Sequence, residues 1–331
     1  MPVLIAHRGA SGYMPEHTLP TYALGILQGA DYIEPDLVCT RDGVLVARHE
    51  NEISGTTDVA SHPEFADRRR VQSIDGVQMA GWFTEDFTLA ELKTLRARER
   101  IPELRPGNTV HDGKAEIPTF AEILDYLAEV NAIRAQQGLK LVGVYPETKH
   151  PTHFASIGLP LEASLLALLD SKLGQAPVFI QSFEVGNLQR LHEQCDYPLV
   201  QLMSAEGGPW DQRAGNAHEY SVMVKPAGLR QIAMYAAAIG VQKSMVMDES
   251  AGGRLVPTSL VRDAHAAALQ VHAWTFRAEN HFLPGILRRG SDPAAHGDLA
   301  AEINAYVAAG VDGLFCDHPR LGRSAIDAAI V

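Results

Sequence analysis

Short apolar runs recur along the chain, and each is followed by a stretch whose apolar residues repeat at helical spacing. The first run is residues 3–6, and Thr18 is a good N-cap for the helix that follows it. A strand, a loop and a helix form the repeating unit of α/β barrels. We count eight such units, and we therefore predict a TIM-type (β/α)8 barrel built as one domain over residues 1–331.

The remaining strands are expected where an apolar run stops at polar or small residues. They are residues 31–39, 139–145, 177–181, 199–203, 244–247, 271–276 and 313–315. An extra hairpin arm, residues 44–49, is expected after the Asp42-Gly43 turn. The helices expected between these strands include residues 159–173, 229–239 and 299–308.

Residues 52–115 break this alternation. They contain several prolines, one helix that Thr88 and Glu91 begin as a capping box, and the basic run Arg68-Arg69-Arg70. A loop-rich stretch of this length is rarely structureless inside a compact domain, so we interpret it as a small inserted subdomain after the second strand. We expect the basic run to face solvent rather than substrate.

The formal net charge of −12 argues against nucleic acid or an anionic membrane surface as the main partner, because both require a basic field. A phosphate-bearing substrate would then need a cation supplied locally by the site. No apolar run reaches the roughly 20 residues that a membrane span needs, so no stable membrane insertion is expected.

The three cysteines lie far apart in the sequence, which favours a reduced compartment. The N-terminus has no secretory signal pattern, so the expected location is cytoplasmic, or periplasmic if a leader has been removed. A homodimer is left open.

Charged residues are costly on barrel strands unless they lie at the C-terminal rim, where they carry chemistry. The charged and histidine residues at the ends of the first three expected strands and of the hairpin arm are His7, Arg8, Glu34, Asp36, His49, Glu147 and Lys149. We take these residues as the candidate site.

Glu34 and Asp36 are two residues apart on a strand, so their side chains point to the same face. Glu147 ends the neighbouring strand and adds a third carboxylate. Like charges repel unless a cation or a proton joins them, and an all-oxygen ligand set suits Mg²⁺ or Ca²⁺ better than zinc. The alternative is that these carboxylates only form salt bridges with Arg8 and Lys149.

His7 and His49 both lie at strand ends beside this expected metal site. An unperturbed imidazole pKa near ~6.5 lets one act as base and the other as acid. A purely structural role is the alternative for each, and it is our interpretation of the histidines on helices and other loops. Arg8 could grip a phosphate with a bidentate fork, and Lys149 with a point charge.

Taken in order, these residues are similar to the motifs of the glycerophosphodiester phosphodiesterase family, in its larger bacterial type. The motifs that carry the resemblance are His7-Arg8-Gly9, Pro15-Glu16 with Thr18, Glu34-x-Asp36, His49, Glu147-x-Lys149, Gln181-Ser-Phe183, His272-Ala-Trp274-Thr275 and Cys316-Asp317-His-Pro319. The run Asp86-Phe-Thr-Leu-x-Glu91-Leu also resembles part of the family's inserted region.

The resemblance implies a phospholipase C-like phosphodiesterase barrel with one divalent cation, Mg²⁺ or Ca²⁺. It implies that Glu34, Asp36 and Glu147 hold the cation, that Arg8 and Lys149 grip the phosphate, and that His7 and His49 are the acid–base pair. The insertion would cap the barrel mouth and help to contact the glycerol end of the substrate.

The expected reaction is hydrolysis of a small-molecule glycerophosphodiester, such as glycerophosphocholine or glycerophosphoethanolamine, to glycerol 3-phosphate and an alcohol. Two departures from the family pattern concern the site: His17 stands where asparagine is usual, and Glu50 stands where aspartate is usual.

Other functions are weighed against this one. A barrel phosphodiesterase acting on lysophospholipids would expose apolar loops near its mouth, for which Trp82, Phe83 and Trp210 are the candidates. A non-catalytic binding protein should have lost a metal ligand or a histidine, yet all are present. A sugar-phosphate isomerase would place a glycine-rich phosphate loop after strands seven and eight, and the sequence has none there.

Overall fold

The apolar runs form strands in a computed structural model that describes residues 1–213, 219–250 and 253–329. In chain order the strands are β1 Val3–Ala6, β2 Tyr32–Ile33, β3 Asp36–Cys39, β4 Leu45–Ala47, β5 Arg70–Ile74, β6 Val77–Gly81, β7 Gly143–Val144, β8 Glu147–Thr148, β9 Ile180–Ser182, β10 Leu199–Met203, β11 Ala238–Gln242, β12 Met247–Glu249, β13 Leu255–Pro257, β14 Gln270–Phe276 and β15 Gly313–Cys316.

The helices alternate with these strands. They are α1 Leu19–Leu27, α2 Leu89–Leu92, α3 Phe120–Gln136, α4 Pro151–Ser156, α5 Glu162–Lys172, α6 Val185–His192, α7 Tyr220–Met223, α8 Pro226–Ile232, α9 Leu260–Ala266, α10 Leu299–Ala308 and α11 Pro319–Ala328. No helix within the described residues is both long enough and apolar enough to span a bilayer.

Two barrel staves are each made of two short strands. Glu34-Pro35 separates β2 from β3, and Tyr145-Pro146 separates β7 from β8, because a proline has no N–H to give to the ladder. Counted this way, eight parallel staves pair in a closed ring, from β1 through β2/β3, β7/β8, β9, β10, β11, β14 and β15 back to β1. The predicted (β/α)8 barrel is confirmed.

Apolar side chains fill the barrel below its mouth. The inner layer consists of Ile5, Tyr32, Tyr145, Val200, Ala238 and Phe315. A larger apolar layer lies between the strands and the surrounding helices, and α3 contributes its buried stripe to it. The interior is therefore closed at the bottom, and polar side chains can line only its upper end.

Local signals place several helix starts. Thr18 accepts a hydrogen bond from the Thr21 N–H at 3.3 Å. Complete capping boxes begin α2 at Thr88 and α3 at Thr119. These caps satisfy backbone N–H groups that have no partner inside the helix, and for this reason they are readable from sequence.

The sixth unit differs from the prediction. The helix expected at 229–239 ends at Ile232, and the sixth stave is β11 rather than residues 244–247. The alanine-rich run before Ile239 favours a helix locally, but pairing with both β10 and β14 in the buried ring overrides that preference. Residues 247–249 instead form one arm of a small antiparallel hairpin with β13.

The segment 52–115 contains more order than its composition indicated. β5 and β6 form an antiparallel hairpin across an Asp75-Gly76 turn, in which both residues have positive φ, 48° and 82°. Arg68 pairs with Glu91 at 2.6 Å and Arg70 with Asp86 at 2.7 Å, all within the segment. That 52–115 is an inserted subdomain within one domain stays a prediction.

Candidate active site

A cavity of about 510 Å³ opens at the C-terminal ends of the staves. It is lined by His7, Arg8, Glu34, Asp36, His49, Glu147, Lys149, Gln181, Phe183, Leu202, Ser204, Gln242, Lys243, Trp274, Thr275, Arg277, Phe282 and Phe315. The structure therefore brings all seven predicted site residues to one cavity, at the end of the barrel where such enzymes carry their chemistry.

The loop after β1 is held in an unusual conformation. Arg8 and His17 have positive φ, 56° and 53°, which is uncommon for residues other than glycine. The fully buried Arg48 donates hydrogen bonds to the carbonyls of Glu16 at 3.0 Å and His17 at 2.8 Å. Gly9 lies so close to Thr21 that a Cβ would come within 2.4 Å of its methyl group. These contacts fix where His7 and Arg8 point.

Three buried carboxylates meet at one point of the cavity wall. Glu34, Asp36 and Glu147 each offer an oxygen, and these oxygens lie within 4.8 Å of one another. Burial, with Asp36 and Glu147 nearby, raises the pKa of Glu34 well above its usual value. Burial also raises the pKa of Glu147 to about 8 despite Lys149, and Asp36 adds to this rise. The three groups repel each other when all are ionised.

Each carboxylate is oriented by neighbours. Glu34 accepts from the Gln181 amide at 2.8 Å and from the Arg8 N–H at 2.9 Å. His17 Nε2 lies 2.9 Å from Asp36 Oδ2, while Asp36 Oδ1 is buried and has no hydrogen-bond partner within residues 1–213, 219–250 and 253–329. Burial opposes ionisation of Asp36, but His17 and Lys149 hold its pKa well below the usual range.

A divalent cation fits this arrangement. The donor set is entirely carboxylate oxygen, as Mg²⁺ and Ca²⁺ prefer, and the buried Asp36 Oδ1 is available to such a cation. A cation bound there would also remove the mutual repulsion of the three groups.

Two permanent cations flank the carboxylates. Arg8 donates to Glu16 at 3.0 Å, and its Nε lies 3.4 Å from Asp36. Lys149 Nζ lies 2.8 Å from Glu147. Burial works against the charge of Lys149, but Glu147 and Asp36 raise its pKa, so it stays protonated. The site thus combines acidic and basic groups in a way that suits an anion bound beside a metal ion.

Both candidate histidines have a carboxylate on Nδ1. His7 Nδ1 lies 2.6 Å from Asp317, and its Nε2 lies 4.0 Å from Glu34. His49 Nδ1 bonds Glu50. Burial and the Arg8 charge lower the pKa of His7 to about 4, and burial with Arg8 and Lys149 lowers that of His49 to about 3. Neutral rings with Nδ1–H directed at a carboxylate leave Nε2 free to accept a proton.

The structure adds residues to which the sequence reasoning gave no role. They are Glu16, Arg100, Arg105, Gln181, Arg277 and Asp317. Gln181 and Asp317 stand in the quoted motifs, and a polar residue at a strand end was the available signal for both. The two arginines at 100 and 105 lie in the irregular segment, where nothing local sets them apart from surface residues.

A second group of potential metal ligands lies behind Asp317. It consists of Glu279, His296 and His318. His318 Nδ1 accepts from the Ala278 N–H at 3.3 Å, so a neutral ring carries its hydrogen on Nε2, the atom that faces Glu279. That nitrogen is not free to bind a metal, and Glu279 is already paired with Arg105 at 2.6 Å. We therefore assign no cation to this group.

Comparison with known sequences places the chain among phosphodiesterases. The sequence model of the "Glycerophosphoryl diester phosphodiesterase family" matches residues 7–321. The chain is 35% identical to the glycerophosphodiester phosphodiesterase GDPD6 of Arabidopsis thaliana, over 96% of this chain and 83% of that protein. It is 29% identical to a glycerophosphodiester phosphodiesterase of Haemophilus influenzae, over 97% and 88% of the two chains.

Solved structures share the fold. A Silicibacter pomeroyi protein described as a putative glycerophosphoryl diester phosphodiesterase superposes with a TM-score of 0.67 at 22% identity, over 99% of this chain and 94% of the other. An Oleispira antarctica phosphodiesterase, solved with the product sn-glycerol-3-phosphate, superposes with a TM-score of 0.61 at 21% identity, over 99% and 97%.

Proposed function

The chain belongs to the glycerophosphoryl diester phosphodiesterase family, and we propose that it hydrolyses glycerophosphodiesters to glycerol 3-phosphate and an alcohol at the cavity described above. Family membership makes it a phosphoric diester hydrolase and sets aside a non-catalytic binding role. The observation that carries the proposal is the meeting of Glu34, Asp36 and Glu147 between two histidines and two cations. The glycerol 3-phosphate bound to the Oleispira antarctica neighbour supports this substrate class.

Glu34, Asp36 and Glu147 would hold one divalent cation, Mg²⁺ or Ca²⁺. When bound, the cation would act as a Lewis acid toward a phosphate oxygen and lower the pKa of an adjacent hydroxyl. Gln181 and His17 keep the ligand oxygens oriented, because each donates to an oxygen of Glu34 or Asp36.

Arg8 and Lys149 would bind the negatively charged phosphate. Arg8 Nε is buried and has no hydrogen-bond partner among the described residues, so it can donate to a phosphate oxygen. The net charge of −12 does not exclude such a substrate, because the cation and these two side chains make the cavity locally attractive to anions.

His7 and His49 would transfer the protons. One neutral ring would take the proton from the attacking glycerol 2-hydroxyl at Nε2. The other ring, in its protonated form, would give its Nε2 proton to the oxygen of the departing alcohol. Water would then open the resulting cyclic phosphate with the two roles exchanged. Low pKa values suit a neutral ring acting as base, and Asp317 and Glu50 would stabilise each ring when it becomes protonated.

The test is phosphodiesterase activity on glycerophosphocholine before and after treatment with EDTA. We expect EDTA to abolish alcohol release and Mg²⁺ or Ca²⁺ to restore it. Lysophosphatidylcholine, assayed in parallel, separates this function from that of a lysophospholipid phosphodiesterase. Full activity in EDTA would contradict the metal-dependent mechanism, and preference for the lysophospholipid would contradict the substrate class.

A further inference from the structure

The segment that carries Arg100 and Arg105 contacts the supports of both histidines. Arg105 donates to Asp317 at 2.6 Å, and Asp317 holds His7. Arg100 donates to the two oxygens of Glu50 at 3.0 and 2.7 Å, and Glu50 holds His49. The chain therefore contains two parallel series of ring, carboxylate and guanidinium, both ending on one short segment between α2 and α3.

We propose that Arg100 and Arg105 are positioning residues, one for each histidine, through which residues 100–105 set the geometry of the proposed acid–base pair. The inference rests on the proposed function, since it concerns the two histidines that would transfer protons. It adds a role for a segment that lies outside the barrel strands.

The burial of Asp317 explains why an arginine is needed beside it. Asp317 is only 2% exposed, and it would be costly to leave as an unpaired charge. Arg105 lies under it and also bonds Glu279 at 2.6 Å and the Ser11 carbonyl at 2.9 Å. A guanidinium with three such partners has one available orientation, and it passes that orientation on to the His7 ring.

Arg100 has a second consequence. Its guanidinium also donates to both oxygens of Glu16, at 2.8 and 2.6 Å, and Glu16 in turn accepts from Arg8. One side chain thus supports the proposed general acid–base residue His49 and the phosphate-binding Arg8. Loss of Arg100 should lower kcat and raise KM together.

The two series differ in how many arginines bind the carboxylate. Arg277 also donates to Asp317, at 2.9 Å, so Asp317 keeps one cation when Arg105 is removed. Within the described residues, Glu50 has ion pairs with Arg100 and His49 alone. Removal of Arg100 should therefore cost more activity than removal of Arg105.

The experiment compares R100A, R105A and the control R98A on glycerophosphocholine with the restoring cation. Arg98 lies in the same segment but is half exposed and 3.8 Å from its partner Asp112, so R98A should match the wild type. We expect kcat/KM to fall about 100-fold for R100A and about 10-fold for R105A, as displacement of a catalytic group by about 1 Å can cost 10²-fold. R105K should recover most activity, because Arg277 also holds Asp317. R100K should recover little, because a lysine cannot reproduce the paired bonds that Arg100 makes to both oxygens of Glu16 and of Glu50.

A second substrate separates positioning from general loss of structure. In a glycerophosphodiester whose alcohol is p-nitrophenol, the departing p-nitrophenolate needs no proton. A misplaced general acid therefore matters little for this substrate. One of the two arginines supports the histidine that acts as general acid. The variant lacking that arginine should lose much less kcat/KM on this ester than on glycerophosphocholine, and the other variant should lose equally on both esters. Circular dichroism and thermal melting identify any alanine variant that fails to fold. The lysine variant at the same position then takes its place in the comparison.

The outcomes distinguish the two proposals. A wild type that releases no choline overturns the proposed function and this inference with it. An active wild type whose R100A and R105A variants match R98A overturns this inference alone. The inference is also overturned if both variants lose the same kcat/KM on the two esters, because equal losses indicate a structural role only.

Discussion

The two sides of the barrel mouth are built from different chemistry. The ends of β1 to β8 form the first side, which supplies His7, Arg8, Glu34, Asp36, His49, Glu147 and Lys149. The ends of β9 to β15 and their loops form the second side, which supplies amides, hydroxyls and apolar or aromatic rings together with Lys243 and Arg277. Every carboxylate among the described lining residues belongs to the first side.

The cations of the second side are already neutralised. Lys243 Nζ lies 2.6 Å from Glu302 and donates to the Phe282 carbonyl at 2.9 Å, and Arg277 pairs with Asp317. The second side therefore presents shape and neutral hydrogen-bonding groups, whereas the first side lines the cavity with three carboxylates, two histidines and two cations. This difference indicates that changes on the first side should strongly alter the reaction rate or the binding of phosphate, and that changes on the second side should alter affinity by small factors.

The sharpest test of the first side is removal of its imidazoles. We expect His7→Ala and His49→Ala each to lower kcat by about 10²–10⁴-fold, the usual contribution of a positioned acid or base. Turnover of glycerophosphocholine measures the effect, and His192→Ala, on the exposed end of α6, is the matched control. Near-wild-type turnover in either variant would contradict the role of that histidine.

Removal of one carboxylate should abolish cation binding. We expect Glu34→Gln to lower activity by about 10²-fold and to eliminate the rise in Tm that Mg²⁺ or Ca²⁺ gives the wild type. Differential scanning fluorimetry reads the second effect without any substrate. Glu162→Gln is the control, since that buried carboxylate pairs with Arg190 away from the cavity and its loss should leave the response to cation intact. A cation-induced rise in Tm for Glu34→Gln would refute the metal site.

Replacing the guanidinium of Arg8 with an ammonium group should have a smaller effect. We expect Arg8→Lys to raise KM about 10-fold and to change kcat less, because lysine keeps the charge but cannot present the guanidinium fork. Steady-state kinetics on glycerophosphocholine measure both constants. A fall in kcat with an unchanged KM would show that Arg8 acts on the transition state instead of holding the phosphate.

Substitutions on the second side should change the kinetic constants only slightly. Trp274 lines the cavity, and its buried indole N–H has no hydrogen-bond partner in the part of the chain that the structure describes. Trp274→Phe keeps an aromatic ring and removes this donor, so we expect KM to rise about 5-fold, the effect of one hydrogen bond of about 1 kcal/mol, with kcat unchanged. A loss of kcat as large as that of the histidine variants would erase the distinction between the two sides.

The first side could be predicted from sequence because its signals are local. Charged residues at the ends of short apolar runs are conspicuous in a barrel, and the two-residue spacing of Glu34 and Asp36 fixes their common face. The caps at Thr18, Thr88 and Thr119 are equally local, and each lies where it was expected. The Asp75-Gly76 turn was an available signal for the hairpin of β5 and β6.

The second side and the arginine supports could not be predicted in this way. Trp274 and Phe315 look like core residues in the sequence, since only the closed ring determines which apolar side chains face the cavity. Arg105 meets Asp317 across 212 residues, and Arg100 meets Glu16 across 84. No spacing rule links positions so far apart. The strand β11 was missed because an alanine-rich run carries a helical preference that pairing overrides.

The last prediction concerns stability and not catalysis, at a buried histidine that the reaction does not use. His272, on β14, is fully buried beneath the mouth, where its Nδ1 lies 2.7 Å from the Tyr145 hydroxyl. Burial lowers the pKa of His272 to about 4 from its usual 6.5. The unfolded chain therefore binds a proton below pH 6.5 that the folded chain refuses until near pH 4. Stability from this group is complete above pH 6.5 and falls as the pH is lowered toward 4.

Replacing His272 with glutamine removes this proton. Between pH 7.5 and pH 5 the His272→Gln variant should lose up to about 2 kcal/mol less unfolding free energy than the wild type, whatever its stability at pH 7.5. Urea unfolding at the two pH values measures the difference. His265→Gln, on α9, is the comparison variant, because it removes an imidazole that is 44% exposed. If both variants show the same pH dependence of unfolding free energy as the wild type, His272 is already solvated in the folded protein. The apolar layer would then not close the bottom of the barrel to solvent.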